Sequence, residues 1–261
     1  RINAGGRVGK CSHGANLLLN LNPKDSFKLA LELDNYNKER QLLEKEMLIK
    51  ILEEASKLKD PVLVLHGDSW HEGIIGIIAS RVKEKFNKPT IIISKNNDIG
   101  KASARSVVGF DIGSIILAAV QNNILLKGGG HKMAGGFSIE IKKINEFKDF
   151  IIRKFMSLNN RLSEEKKVFI DSEISPSAIN LDFFKQINFL APFGSGNTEP
   201  KFTIEDLKII NSKVVGEKHI KSILHGKDGS VIKTIAFNAV DSNLSAYLFK
   251  KSNKVFNIVG K

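Results

Sequence analysis

The chain has 261 residues, room for two compact domains, with 42% apolar and 26% charged side chains, ordinary proportions for a soluble globular protein. A single cysteine, Cys11, excludes a disulfide framework and a multi-cysteine zinc site and suits a reducing cytoplasm; the apolar runs are too short to span a membrane, and no signal peptide is visible. Net charge is +12, from 40 Lys and Arg against 28 Asp and Glu, which favours a polyanionic partner without establishing one, because a lysine-rich composition gives the same surplus.

The chain opens on Arg1 rather than methionine and is expected to be a piece of a longer one. Residues 1–24 are rich in glycine and asparagine and end in Asn22-Pro23. Asp25 or Ser26 is placed to cap a helix. From there to Lys59 there is no glycine or proline, and Leu29, Leu33, Tyr36, Leu43, Met47 and Ile51 recur at helical spacing. A helix of that length spans about 50 Å and is expected to bridge two domains; a break near Asn35 to Asn37 would make it two.

After Asp60-Pro61, "VLVLHGD" (62–68) reads as a buried strand, "GIIGIIASRVKEKF" (73–86) as a helix, and "TIIIS" (90–94) and "GKASARS" (100–106) as strands. Asp111 to Gln121 and Ile144 to Met156 read as helices and Phe137 to Ile141 as a strand. The alternation implies an α/β layer domain. "NNRLSEEKK" (159–167) reads as a linker. Beyond it, "VFIDSEI" reads as a strand, Ser177 to Leu190 as a helix and "LAPFGSGNTEP" (190–200) as a loop. "FTIEDLKII", "HIKSILHG", "SVIKTIAFNA" and "KVFNIVG" then read as short strands of a small β-barrel or sandwich.

"LLKGGGHKMAGGFSI" (125–139) sets five glycines around His131. Gly128, Gly129 and Gly130 are expected to expose successive amides to an anion, with His131 as a further donor, while Gly135 and Gly136 admit a close neighbour. In "KASARS" the period of a strand puts Lys101, Ser103 and Arg105 on one face, successive side chains about 7 Å apart, a grip suited to phosphate. Trp70 and His71 stand at a helix start, where amides attract anions, although Trp70 fits a core role as well. Arg1 and Arg7 flank a glycine pair. There is no P-loop, no H-E-x-x-H and no GxSxG; Asp111 and Asp171 are isolated and read as cap or strand-end residues.

Together, "RINAGGRVG", "WHEGIIGIIASRVKEKFNKPTIIIS", "GKASARSVVGFDI", "GGGHKMAGGFSI" and "LAPFGSGNTEPKF" resemble the RecJ family, the single-stranded-DNA-specific exonucleases of bacteria, in that family's order and over most of the chain. The histidine–glycine motif alone would mark only the wider DHH superfamily of phosphoesterases. The resemblance implies four parts: 1–24, the tail of a catalytic DHH domain; 25–60, a connecting helix; 61–160, a DHH-associated substrate-binding domain; and 165–261, an OB-type domain that binds nucleic acid. It implies 5′-to-3′ degradation of single-stranded DNA in repair and recombination with Mn²⁺ or Mg²⁺, the metal ligands and catalytic residues lying upstream of Arg1.

By the same likeness Ser103, Arg105 and His131, with Arg1 or Arg7, hold the substrate backbone or its 5′ phosphate, beside the amides of Gly129 and Gly130 already taken as phosphate-binding candidates. Trp70, His71 and Lys101 are further candidate contacts, and Lys218, Lys221 and Lys227 are the candidate DNA contacts of the OB-type domain. The implied partners are single-stranded DNA and a single-stranded-DNA-binding protein or helicase, in the cytoplasm and with no membrane. Here "NAGGR" replaces the family's usual "NAAGR", which is expected to loosen the turn before Arg7. The family also continues past "FNIVGK" with a further strand, so the barrel is expected to be incomplete. Two other readings stay open: a DHH-superfamily phosphodiesterase acting on short oligonucleotides or cyclic dinucleotides, and a non-catalytic single-stranded-DNA-binding module. The site expected here is one anion-sized hollow shared by His131, Ser103 and Arg105.

Overall fold

The computed structural model describes residues 1–158, 168–194, 196–249 and 255–261; the linker expected at 159–167 and the start of "KVFNIVG" lie outside them. The chain divides into two compact units, Arg1–Glu164 and Glu165–Lys261. No helix among the described residues is long and apolar enough to cross a membrane.

The first unit opens with two short helices, α1 (Gly5–Val8) and α2 (Ser12–Leu19), where sequence composition alone had indicated no element. The substituted glycine of "NAGGR" is Gly5. Gly5 lies within α1, and a Cβ there would stand 2.6 Å from the Lys10 carbonyl oxygen, so the missing side chain permits a tight return of the chain. Helix α3 (Pro23–Lys57) is one unbroken element. Its cap is Asn22, whose side chain accepts from the Lys24 amide, rather than Asp25 or Ser26, and Pro23 occupies the first turn, where its lack of an N–H costs nothing.

A five-stranded mixed sheet follows, built from β1 (Leu63–Asp68), β2 (Thr90–Asn96), β3 (Ile99–Arg105), β4 (Lys127–His131) and β5 (Ala134–Glu140) in the order β1-β2-β3-β5-β4. Strands β1 and β2 are parallel, joined through α4 (Glu72–Phe86); the other pairings are antiparallel. On one face, α5 (Ile112–Gln121) and α6 (Ile144–Leu158) bury Ile112, Ile116, Phe147 and Ile151 against Val64, Ile91, Ile93, Ala102, Ala104, Phe137 and Ile139. Asp111 caps α5 by accepting from the Ser114 amide at 3.1 Å. On the other face, α3 and α4 bury Ile51, Ala55, Ile74, Ile78 and Val82 against Leu63, Leu65 and Ile92. Residues buried on both faces explain the continuous apolar runs of β1 and β2. Beyond β2 the second face turns polar.

The five glycines do not make a concavity of successive amides. They form the paired strands β4 and β5, with Gly129 opposite Gly136 and Gly130 opposite Gly135. Pairing takes up alternate amides of β4, so the three successive amides cannot all point at one anion. Gly128 and Gly135 face α5: a Cβ at either would lie 2.7 or 2.5 Å from the Ile116 side chain. Gly113 on α5 answers them, since a Cβ there would sit 2.9 Å from the His131 nitrogen.

The second unit holds β6 (Ser172–Glu173), α7 (Leu181–Asn188), β7 (Phe202–Val215), β8 (His219–His225), β9 (Val231–Ala236), α8 (Asn243–Leu248) and β10 (Phe256–Gly260). Strands run β10-β7-β8-β9 in an antiparallel, curled half-barrel, with β6 parallel to β7 off that path. Ile204, Leu207, Leu224 and Ile232 form the core. "VFIDSEI" yields only the two residues of β6, and α7 is shorter than the expected Ser177 to Leu190 because Pro176 starts a separate 3-10 turn.

Gly135→Ala is expected to lower the unfolding free energy by about 1–3 kcal/mol through overpacking against Ile116. Gly129→Ala, where nothing lies within 4 Å of the added methyl, should change it by no more than about 1 kcal/mol in either direction. Urea unfolding of the two variants checks this.

Candidate functional site

The second face of the sheet is covered by α4 as far as β3 and left open over β5 and β4. Three cross-strand rows occupy that open face: Lys101–Ser138–Lys127, Ser103–Gly136–Gly129 and Arg105–Ala134–His131. Rows are about 7 Å apart along the strands, and neighbouring strands about 4.8 Å apart. Ala102 and Ala104 point the other way into the core, as the period of the strand predicts.

Helix α4 shapes the site from above. His71 caps it, its Nδ1 accepting from the Gly73 amide at 3.2 Å, so that amide is already satisfied. Gly73 lets the backbone of Arg7 press onto the first turn, where any Cβ would collide with the Arg7 carbonyl oxygen. Gly76 stands directly over the strand: a Cβ there would lie 3.1 Å from Arg105 Nη2 and 3.2 Å from Ser103 Oγ. Trp70 lies over Gly67 and packs with the α3–α4 core, the structural role it fitted from sequence.

Arg105 is half-buried beneath α4. Its Nε donates to Ser80 Oγ at 3.1 Å, and its Nη1 donates to Ser103 Oγ at 3.1 Å and to the Ala104 carbonyl at 2.8 Å. All three acceptors are neutral. Burial first, and then the positive charge of Arg7, disfavour its protonated form. Among the described residues neither Arg7 nor Arg105 has a carboxylate partner. Arg81 lies nearby, its Nε 3.6 Å from Glu44.

Two cavities result. The larger, about 600 Å³, is lined by Glu72, Gly76, Lys101, Ser103, Lys127 and Ser138 over a floor that includes Gly129 and Gly136. The smaller, about 270 Å³, is lined by Arg7, Gly76, Ser80, Arg81, Glu84 and Arg105. Gly76 and the Ser103–Arg105 bond stand between them.

The structure therefore divides what the sequence joined. Ser103 and Gly129 line the larger hollow; Arg7 and Arg105 line the smaller. His131 shares their sheet face by alternation but lines neither hollow; it is exposed, and its Nδ1 accepts from the Met133 amide at 3.3 Å. Gly130 is turned to the opposite face, where a Cβ would strike the Ala134 carbonyl oxygen. Arg1 is drawn off to α3, its Nε 3.3 Å from Asp34. Lys101 lines the hollow but is held by Glu72 at 2.7 Å. Ser80, Arg81, Lys127 and Ser138 were missed; for Ser80 the signal was its i, i+4 relation to Gly76 on one helical face.

In the second unit, Lys227 is bound to Asp206, whose hydrogen bond raises the lysine's pKa, and Lys218 is exposed in the turn after Gly216. Lys221 lies on the outward face of β8, directly opposite Lys213 of β7 and Ile235 of β9, with Lys233 in the next row opposite Ile223. Like charges opposed across a ladder destabilise it. Neither Lys213 nor Lys221 has an acidic partner among the described residues. Phe237 is exposed beside them, 5.2 Å from the His219 ring.

This architecture is that of a two-domain class. Residues 59–157 match the DHHA1 domain and residues 170–261 the RecJ OB domain. The two domains in this order place the chain in the RecJ family, to which it belongs. It is 31% identical over 250 residues to the single-stranded-DNA-specific exonuclease RecJ of Haemophilus influenzae, covering 91% of this chain and 43% of the relative. It is 32% identical over 254 residues to that of Escherichia coli, covering 94% and 44%. The chain spans less than half the length of these relatives. A crystal structure of RecJ from Thermus thermophilus with Mn²⁺ matches at TM-score 0.75 and 27% identity, covering 92% of this chain and 35% of that one; the Mg²⁺ complex matches at 0.73 and 26%, covering 92% and 37%. Among the described residues of this chain, no group of three or more His, Cys, Asp or Glu could hold such an ion. The described residues therefore do not fit a metal centre, and no hydrolytic step is assigned to them.

Inorganic phosphate is expected to raise the unfolding temperature of the chain, by the linkage that gives about 2.7 kcal/mol at 100 times Kd. Arg105→Ala and Arg7→Ala should each abolish the rise in calorimetry.

Proposed function

We propose that this chain is the substrate-binding part of a metal-dependent exonuclease that degrades single-stranded DNA from its 5′ end, and that Arg7, Ser103 and Arg105 hold the terminal phosphate. In this reading residues 1–24 close a catalytic DHH domain that supplies the metal ions, and α3 connects it to the binding domain. The observation that carries the proposal is the pair of guanidinium groups, Arg7 and Arg105, brought together around one small cavity, neither of them ion-paired with Glu84, which also lines it, or with any other carboxylate among the described residues. Two unpaired like charges in a partly desolvated site lower their energy when an anion enters.

The chain's own residues bind and orient. Arg105 offers its remaining N–H groups and full charge to the phosphate. Ser103 accepts from Arg105, which leaves its hydroxyl proton free for a phosphate oxygen. The larger hollow beside it, floored by Gly129 and Gly136, has room for the attached nucleoside, with Lys127 and Ser138 along its rim. The outward face of β7, β8 and β9, with Lys213, Lys221, Lys233 and the exposed Phe237, suits the trailing strand through phosphate attraction and stacking. A phosphodiesterase confined to dinucleotides would have no use for that second face.

Arg105→Ala in the whole protein should lower kcat/KM on 5′-phosphorylated single strands at least about tenfold, as loss of a charge-assisted contact implies. It should affect 5′-hydroxyl strands far less; equal loss on both would refute the assignment of the end. Neutralising Lys213 and Lys221 together should reduce the slope of log K against log salt by about 1.4 for a long single strand. A slope unchanged in fluorescence titration would remove this face from the binding path.

A further inference from the structure

We infer that Ser80 is a positioning residue for Arg105, setting the direction of its guanidinium without neutralising it. This rests on the phosphate-binding reading above. Ser80 lies on α4 one turn after Gly76, so both face β3. Its hydroxyl donates to the Gly76 carbonyl at 3.1 Å, the back-bond common for serine within helices. With the proton committed there, the lone pairs of Oγ are left to accept the Nε–H of Arg105 at 3.1 Å. Gly76 clears the space in which the guanidinium lies, since a Cβ at that position would stand 3.1 Å from Nη2.

The chemistry of the acceptor matters as much as its place. A carboxylate at position 80 would hold Nε–H more firmly, but it would cancel the charge that a phosphate needs. Ser80, Ser103 and the Ala104 carbonyl are all neutral, so Arg105 is fixed on its Nε and Nη1 while its net charge faces the cavity shared with Arg7. Ser80 itself need not touch substrate.

The test is steady-state kinetics of the whole exonuclease on 5′-phosphorylated and 5′-hydroxyl single strands. Ser80→Ala is expected to raise KM for the phosphorylated strand about tenfold with kcat within about twofold, and to leave the hydroxyl strand nearly unchanged. Ser80→Thr, which keeps the hydroxyl, should restore KM. Ser80→Asp, which keeps an acceptor but cancels the charge, should be worse than Ser80→Ala. In an Arg105→Ala background, Ser80→Ala should add nothing further. Equal loss on both strands, no rescue by threonine, or a full penalty in the Arg105→Ala background would each overturn the inference. If Arg105→Ala treats both strand ends alike, the phosphate reading fails on its own. The Ser80 contact is then judged by the Arg105 Nε–H signal in NMR: broadening in Ser80→Ala sustains it, and an unchanged signal overturns it.

Discussion

A half-buried guanidinium, held by oxygens that carry no charge, is the constraint to which the rest of the site conforms. Burying a cation without a counter-ion is unfavourable, and Arg105 is placed so that geometry is satisfied while charge is not. Ser80, Ser103 and the Ala104 carbonyl fix its orientation. Arg7 adds a second positive group instead of relieving the first. Two glycines of α4 make this possible: Gly73 admits the backbone that carries Arg7, and Gly76 admits Arg105 itself. A helix with side chains at those two positions would stand off from the strand and separate the two arginines.

The site lies where the layering of the fold runs out. Strands β1 and β2 are buried on both faces, as a parallel pair joined through a helix requires. The antiparallel extension β3-β5-β4 is backed by α5 and α6 on one side only. Its other side is neither core nor ordinary surface, because α4 overhangs the first strand and leaves the next two open. The second unit, by itself, has its core on one face of its curled sheet and opposed lysines on the other.

What the sequence made legible was local. The alternation of "KASARS" put Lys101, Ser103 and Arg105 on one face and the alanines on the other, and the unbroken run after Asn22 gave α3. What it hid was pairing at a distance. Lys101 looked free, yet its partner Glu72 lies 29 positions away. Lys227 looked like a DNA contact until Asp206 came across to it. The glycines were read as an anion-binding concavity because three in succession can expose consecutive amides. Only the second cluster, Gly135-Gly136, pairing with them as a strand, decides which glycines face α5 and which face the hollow. His131 kept its place in the pattern but not in either cavity, since the strand ends there and the ring turns outward. Lys213 escaped notice because its opposition to Lys221 depends on a register interrupted by a bulge between Ile209 and Asn211.

The doubled glycine pairing has a mechanical consequence. Gly113, in the first turn of α5, lies directly on the backbone of Gly130 and His131 with no side chain between, while Gly129 and Gly136 of the same paired strands floor the larger hollow on the other side. Most sheets are cushioned on each side by a layer of side chains, which absorb small shifts by changing rotamer. At the Gly113 contact the wall has no such padding, so a shift of that turn passes directly to the strand behind the hollow.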